Sequence, residues 1–214
     1  MKRTAVVSLL MILCGARVQP HQLDEYLQAT LLDLSGDRVR VELSLTPGAA
    51  IAPQILALID RDRDGVLSPT ETAEYAGRMM REVHLTIDGR ACRLTVTRAV
   101  APAWEELVEG TGSIRLDAVA EGALLTGGAH RIVYENTHQP APSAYLANAL
   151  KPRREVTIDA QRRDVLQHRI ELDIEVSTGA TRAAQFAWGS GLIAALVTLR
   201  VRSRRRRQAP RLAA

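Results

Sequence analysis

The chain has 214 residues, of which 46% are apolar, 24% charged and 3% aromatic. That balance excludes a disordered or collagen-like chain, and 2 cysteines exclude a disulfide-dense scaffold. The net charge of +4 is misleading: setting aside Lys2, Arg3, Arg17 and the seven arginines after Leu199 leaves 18 of the 28 basic residues against all 24 acidic ones, which excludes the basic, aromatic-interleaved surface expected for nucleic-acid binding.

Residues 1–16 have the build of a secretory signal peptide. Lys2 and Arg3 give the positive start, Thr4 to Leu13 the apolar run, and Cys14-Gly15-Ala16 the small residues that predict cleavage after Ala16. Residues Leu23 to Leu34 read as a strand, and Ser35-Gly36-Asp37 as a turn. Arg38 to Leu45 then alternates, with Val39, Val41, Leu43 and Leu45 on one face, so a hairpin is expected. Thr46-Pro47-Gly48 ends it, and Ala49 to Ile59 is a short helix with Pro53 near its start.

Residues 60–71 read DRDRDGVLSPTE. Asp60, Asp62 and Asp64 put carboxylates at alternate positions, and Gly65 follows where the chain must turn sharply. Val66 offers its backbone carbonyl, Ser68 a hydroxyl and Glu71 a carboxylate long enough to bind with both oxygens. This spacing, 1-3-5-7-9-12, sets hard oxygen ligands around a roomy site and favours calcium over magnesium. Without a cation the three aspartates would repel one another. Apolar Ile55, Leu56, Leu58 and Ile59 lead in, and a second helix is expected from Thr70 to Glu82. The segment resembles an EF-hand of the calmodulin type, over about 30 residues. It departs from the usual paired arrangement in having one loop. Arg61 and Arg63 place positive charge beside the ligands, which lowers affinity. Such a lone loop outside the cytoplasm resembles a structural calcium clip more than a switch.

Val83 to Ile87 is a strand, Asp88-Gly89 a turn and Cys92 to Arg98 the partner strand. Trp104 to Glu109 reads as an exposed acidic turn of helix. Ser113 to Val119, His130 to Asn136, Glu155 to Arg162 and His168 to Val176 are further strands. Ile170, Leu172, Ile174 and Val176 keep strict period two in the last. Residues 137–153, with Pro140, Pro142 and Pro152, are expected to form a connection. Seven or eight strands predict a mainly β (α+β) domain, β-sandwich-like, with the helix-loop-helix inserted at 49–82. Ala183 to Val201 is apolar, with Phe186 and Trp188 at one end and Arg202 to Arg207 beyond the other. That pattern predicts a transmembrane helix over 183–201, a cytoplasmic tail over 202–214 and residues 17–182 outside.

HQLDEYLQATL (21–31), RVELSLTPG (40–48) and HQPAPSAYLANAL (138–150) resemble the exported front domain of HupE/UreJ-like bacterial membrane proteins. In transporter-type members that domain precedes a multi-helix membrane part. Here one helix is expected, so no transport role is carried over.

Catalytic chemistry has little to stand on. His21, Asp24 and Glu25 fit a strand start with solvated polar groups better than a transition-metal site. His130 and His138 lack ligand spacing, and His84 and His168 fall in strand patterns. Cys92 reads as a buried free thiol, Ser143 lacks a G-x-S-x-G setting, and Glu105, Glu106 and Glu109 fit a solvated turn. The expectation is therefore a non-catalytic protein of a bacterial-type inner membrane, single-pass, with its bulk in the periplasm. It binds Ca2+ through Asp60, Asp62, Asp64, Val66, Ser68 and Glu71, has room for a protein partner, and has no role with nucleic acid. The alternatives are an accessory subunit of a metal-handling or transport complex in the membrane, and a calcium-stabilised hydrolase.

Overall fold

A computed structural model describes residues 24–35, 38–122, 125–139, 141–150 and 155–177. The expected signal peptide, membrane helix and arginine-rich tail lie outside these residues. Among the described residues no helix is long and apolar enough to cross a membrane.

The chain begins with two ten-residue strands, β1 (Tyr26–Ser35) and β2 (Arg38–Pro47), paired antiparallel from Tyr26↔Pro47 to Ser35↔Arg38. In β2 the expected face of Val39, Val41, Leu43 and Leu45 is fully inside. Two helices follow, α1 (Ala52–Ile59) and α2 (Pro69–Met79). Helix α1 starts three residues later than the sequence predicts: residues 49–51 form a turn that leads into it, with the Ile51 and Ala52 amides bonded to the Gly48 carbonyl. Helix α2 stops short of Glu82, whose carbonyl is held by the Thr137 amide and hydroxyl.

Strand β3 (Val83–Ile87) then pairs with β4 (Arg90–Cys92) across Asp88-Gly89. Both turn residues have positive φ, 53° and 76°, as a tight I′-type hairpin turn requires. The sequence reads Cys92 to Arg98 as one strand partnering β3. The structure corrects this: pairing with β3 ends at Cys92, and β5 (Leu94–Val100) belongs to the other sheet. One short helix, α3 (Trp104–Val108), precedes β6 (Ile114–Ala120), β7 (Gly128–Asn136), β8 (Ser143–Ala149), β9 (Val156–Arg163) and β10 (Arg169–Val176). Strand β8 falls within the expected Pro-containing connection. It lies parallel to β1, from Tyr26↔Ser143 to Leu32↔Ala149.

The domain is mainly β. Its strands form two five-stranded sheets, β5-β6-β2-β1-β8 and β4-β3-β7-β10-β9. Leu32, Val41, Leu45 and Leu116 of the first sheet and Leu85, Ile132, Leu172 and Ile174 of the second belong to one apolar cluster. Ile55, Leu56 and Ile59 of α1 and Tyr75, Ala76 and Met79 of α2 join it. Each of the valine, leucine, isoleucine and methionine side chains contributes about 1.5–3 kcal/mol by leaving water. The helix pair is therefore part of the core, and the loop between the helices is held by it.

Candidate metal centre

Asp60 ends α1 as its C-cap, and its amide donates to the Leu56 carbonyl. Its side chain is 6% exposed. One carboxylate oxygen accepts from the Asp64 amide and the other from the Gly65 amide, each at 3.2 Å. Gly65 has φ +78°, a left-handed turn that glycine makes without the strain a side chain would bring. Asp62 also accepts from the Asp64 amide, at 3.3 Å.

The other end of the loop is fixed by the start of α2. Ser68 is the N-cap, its hydroxyl accepts from the Glu71 amide, and Pro69 opens the helix. Glu71 reaches back: one oxygen accepts from the Ser68 amide at 3.0 Å and the Ser68 hydroxyl at 2.8 Å. Its other oxygen accepts from the Arg61 amide at 2.6 Å, which closes the loop across its mouth. This capping box makes Glu71 a buried carboxylate at 8% exposure.

Asp60, Asp62 and Glu71 each present an oxygen within 4.8 Å of the others. Calcium sits at about 2.3–2.6 Å from its oxygen ligands, so two oxygens on opposite sides of one ion stand about that far apart. Three carboxylate oxygens no farther apart than this are close enough to share one cation. Asp64 stands outside this group of three: its carboxylate accepts from the Val66 amide at 2.8 Å. Ser68 is engaged with Glu71 through its hydroxyl, and Val66 is exposed, with only its carbonyl called for. Arg61 and Arg63 both face solvent.

The charges carry the mark of crowding. The Asp64 amide draws the Asp62 carboxyl down, but desolvation and the Asp64 and Glu71 charges outweigh it and leave it above the usual value. Glu71 is held below its usual value, first by the Ser68 hydroxyl and then by the Arg61 and Ser68 amides. A carboxylate kept ionised beside another that resists ionisation is an arrangement that a divalent cation relieves.

A second polar group was not legible in the sequence. Tyr75, one turn beyond Glu71 on α2, places its hydroxyl 2.9 Å from that of Tyr26 and 3.0 Å from His138 Nε2. His138 Nδ1 lies 2.9 Å from a Glu82 carboxylate oxygen. The His138 carbonyl accepts from Gln28 Nε2 at 2.7 Å and the Tyr145 hydroxyl at 3.0 Å, and its amide donates to Asn136 Oδ1. Asn136 in turn donates to Gln28 Oε1. His138 thus binds α2 to β1, β7 and β8. Its partners lie up to 110 residues away, so only folding brings them together.

Cys92 is half-buried at the end of β4 and lines an open cleft of about 560 Å³ with Asp88 and His130. His130 Nδ1 meets Asp88 at 2.8 Å and Nε2 meets the Thr126 carbonyl at 2.7 Å. Both partners are acceptors, and the Asp88 carboxylate raises the ring's pKa above its usual value, so the imidazole is engaged as a donor on both sides and makes a poor base for the thiol. Desolvation also pushes the Cys92 thiol up, away from the thiolate. His84 is exposed on β3, and Asp24 and Glu25 are exposed ahead of β1. The chain matches no protein-family model, no curated protein and no solved structure.

Proposed function

We propose that this chain is a non-catalytic, extracytoplasmic calcium-binding protein, a β-sandwich-like domain with an inserted EF-hand, anchored in a membrane by residues 183–201. The single observation that carries the reading is the carboxylate set of Asp60, Asp62 and Glu71, within 4.8 Å, in a loop of full EF-hand spacing between two helices. Bound Ca2+ supplies two positive charges to a loop that gathers negative ones. The protein supplies the rest: α1 delivers Asp60, the Gly65 turn folds the middle of the loop inward, and the Ser68 cap aims Glu71 back across it. Asp64 joins by turning its carboxylate away from the Val66 amide. The ion then joins the two helix ends.

The membrane setting rests on the apolar segments at 1–16 and 183–201, the arginine cluster after them and the HupE/UreJ-like resemblance. The role is that of a calcium clip, because α1 and α2 already belong to the core and have little freedom to swing open. Extracellular modules of this kind bind calcium at roughly 0.1–1 mM. Calorimetric titration of the purified full chain, beside an Asp60→Ala/Glu71→Gln double variant, tests the reading. One-to-one binding that the variant loses supports it. No saturable heat up to several millimolar, roughly the weak end of the extracellular range, excludes it.

A further inference from the structure

We infer that calcium binding at the 60–71 loop is linked to protonation of His138 through the buried Tyr26–Tyr75–His138 hydrogen-bond chain, so that acid weakens the hold on the ion. The inference rests on the calcium reading above and names a regulation of that same site.

The chain of hydrogen bonds has a direction. Glu82 accepts only, so His138 Nδ1 carries a proton, and Nε2 of the neutral ring is an acceptor. Tyr75 therefore donates to Nε2, and Tyr26 donates to Tyr75. Every proton has a partner. A second proton on Nε2 turns His138 into a donor at both nitrogens. Tyr75 must then accept from it, and one hydroxyl proton, on Tyr26 or Tyr75, is left without an acceptor. Tyr26 is 0% and Tyr75 1% exposed, so water does not supply one.

The charges around the ring are few. From α2 and the turn after it come Glu82, which is half-exposed and favours the second proton, and Arg78, which opposes it. Tyr26 of β1 reaches it through Tyr75, neutral Gln28 of β1 and Tyr145 of β8 bond its backbone carbonyl, and β7 contributes the neutral Asn136. Burial lowers the His138 pKa and outweighs Glu82, in agreement with a ring built to stay neutral.

Strain in this chain reaches the loop through one helix. Glu71 and Tyr75 are one turn apart on the buried face of α2. The Tyr75 hydroxyl, pinned between Tyr26 of β1 and His138 just beyond β7, fixes how α2 is rotated about its axis. That rotation decides whether both Glu71 oxygens reach an ion. Arg78 Nη2 donates to the Leu58 carbonyl at 2.6 Å, so α1, and with it Asp60, follows α2. Linkage is reciprocal: whatever factor protonation takes from calcium affinity, calcium takes from proton affinity at His138.

Calcium affinity of the full chain at pH 7.5 and 5.5, measured for the native protein and Tyr75→Phe, tests the link. The variant keeps every carboxylate and removes the relay. The native protein is expected to lose affinity between the two pH values by a factor about fivefold or more larger than the variant loses. In parallel, NMR titration of the His138 ring in the native protein is expected to give a lower pKa with calcium than without. This second measurement stands even if Tyr75→Phe fails to fold. Binding at pH 7.5 with a His138 titration indifferent to calcium, or with equal losses in both proteins, overturns the link and leaves the calcium reading intact. No binding at pH 7.5 overturns both.

Discussion

Ser68 carries two duties with one side chain. It caps α2 and holds Glu71 in the loop mouth. Ser68→Ala is expected to cost about 1 kcal/mol in urea unfolding without calcium, the usual loss for an N-cap. Calcium binding should weaken as well, since Glu71 loses the hydroxyl that aims it. Two histidines make opposite contributions with pH. His138 has its pKa lowered, by burial first, so its contribution to stability is complete above its unfolded value of about 6.5 and is lost as pH falls toward the folded value. His130 has its pKa raised, by Asp88 first, so its contribution is complete below about 6.5 and is lost as pH rises through the folded value. Unfolding midpoints from pH 5 to 8, roughly the span where an imidazole changes charge, should therefore lose their acid-side fall in His138→Gln. They should lose their alkaline-side fall in Asp88→Asn. At this scale the sequence was readable where acidic side chains lie close along the chain: Asp60, Asp62 and Glu71 come together as their spacing suggests, while Asp64 stands apart. The sequence was silent on His138, because no local spacing ties it to Gln28, Tyr75 or Tyr145. Polar Gln28 and Thr30 at inward positions of β1 were the available signal: a strand that buries an amide and a hydroxyl needs partners inside.

Among the elements, period-two alternation revealed β2 and β10, because each buries one face; β3, β6, β7 and β9 were also expected as strands. Alternation failed at β8 for a physical reason. Ser143-Ala-Tyr-Leu-Ala-Asn-Ala has small and polar residues on both faces and follows prolines, and its place is fixed by β1. It failed differently at Cys92–Arg98, where alternation continues through Arg93 while the pairing partner changes from β3 to β6. Side-chain period records which face is buried and says nothing of which neighbour supplies the hydrogen bonds. Helix α2 is the element on which the account turns. Its Met79 is fully buried against the core, so Met79→Ala is expected to cost roughly 2–5 kcal/mol in chemical unfolding. It should also weaken the proposed calcium binding, though Met79 is two turns from Glu71. Unaltered affinity in a folded Met79→Ala protein would show that the loop closes independently of how α2 is seated.

For the molecule as a whole, the helix pair shares its core with both sheets, and the loop joins the helix ends. An ion bound there stabilises the folded domain by mass action, by about 1.4 kcal/mol when calcium is at ten times its dissociation constant. The most direct measurement is the thermal unfolding midpoint of the full chain with chelator, with 5 mM magnesium and with 5 mM calcium, roughly ten times a mid-range affinity for such sites. One cooperative transition is expected, and calcium should move it upward by several degrees. Magnesium should move it much less, and Glu71→Gln should respond to neither. Equal midpoints in all three solutions, or the same rise in Glu71→Gln, would contradict it.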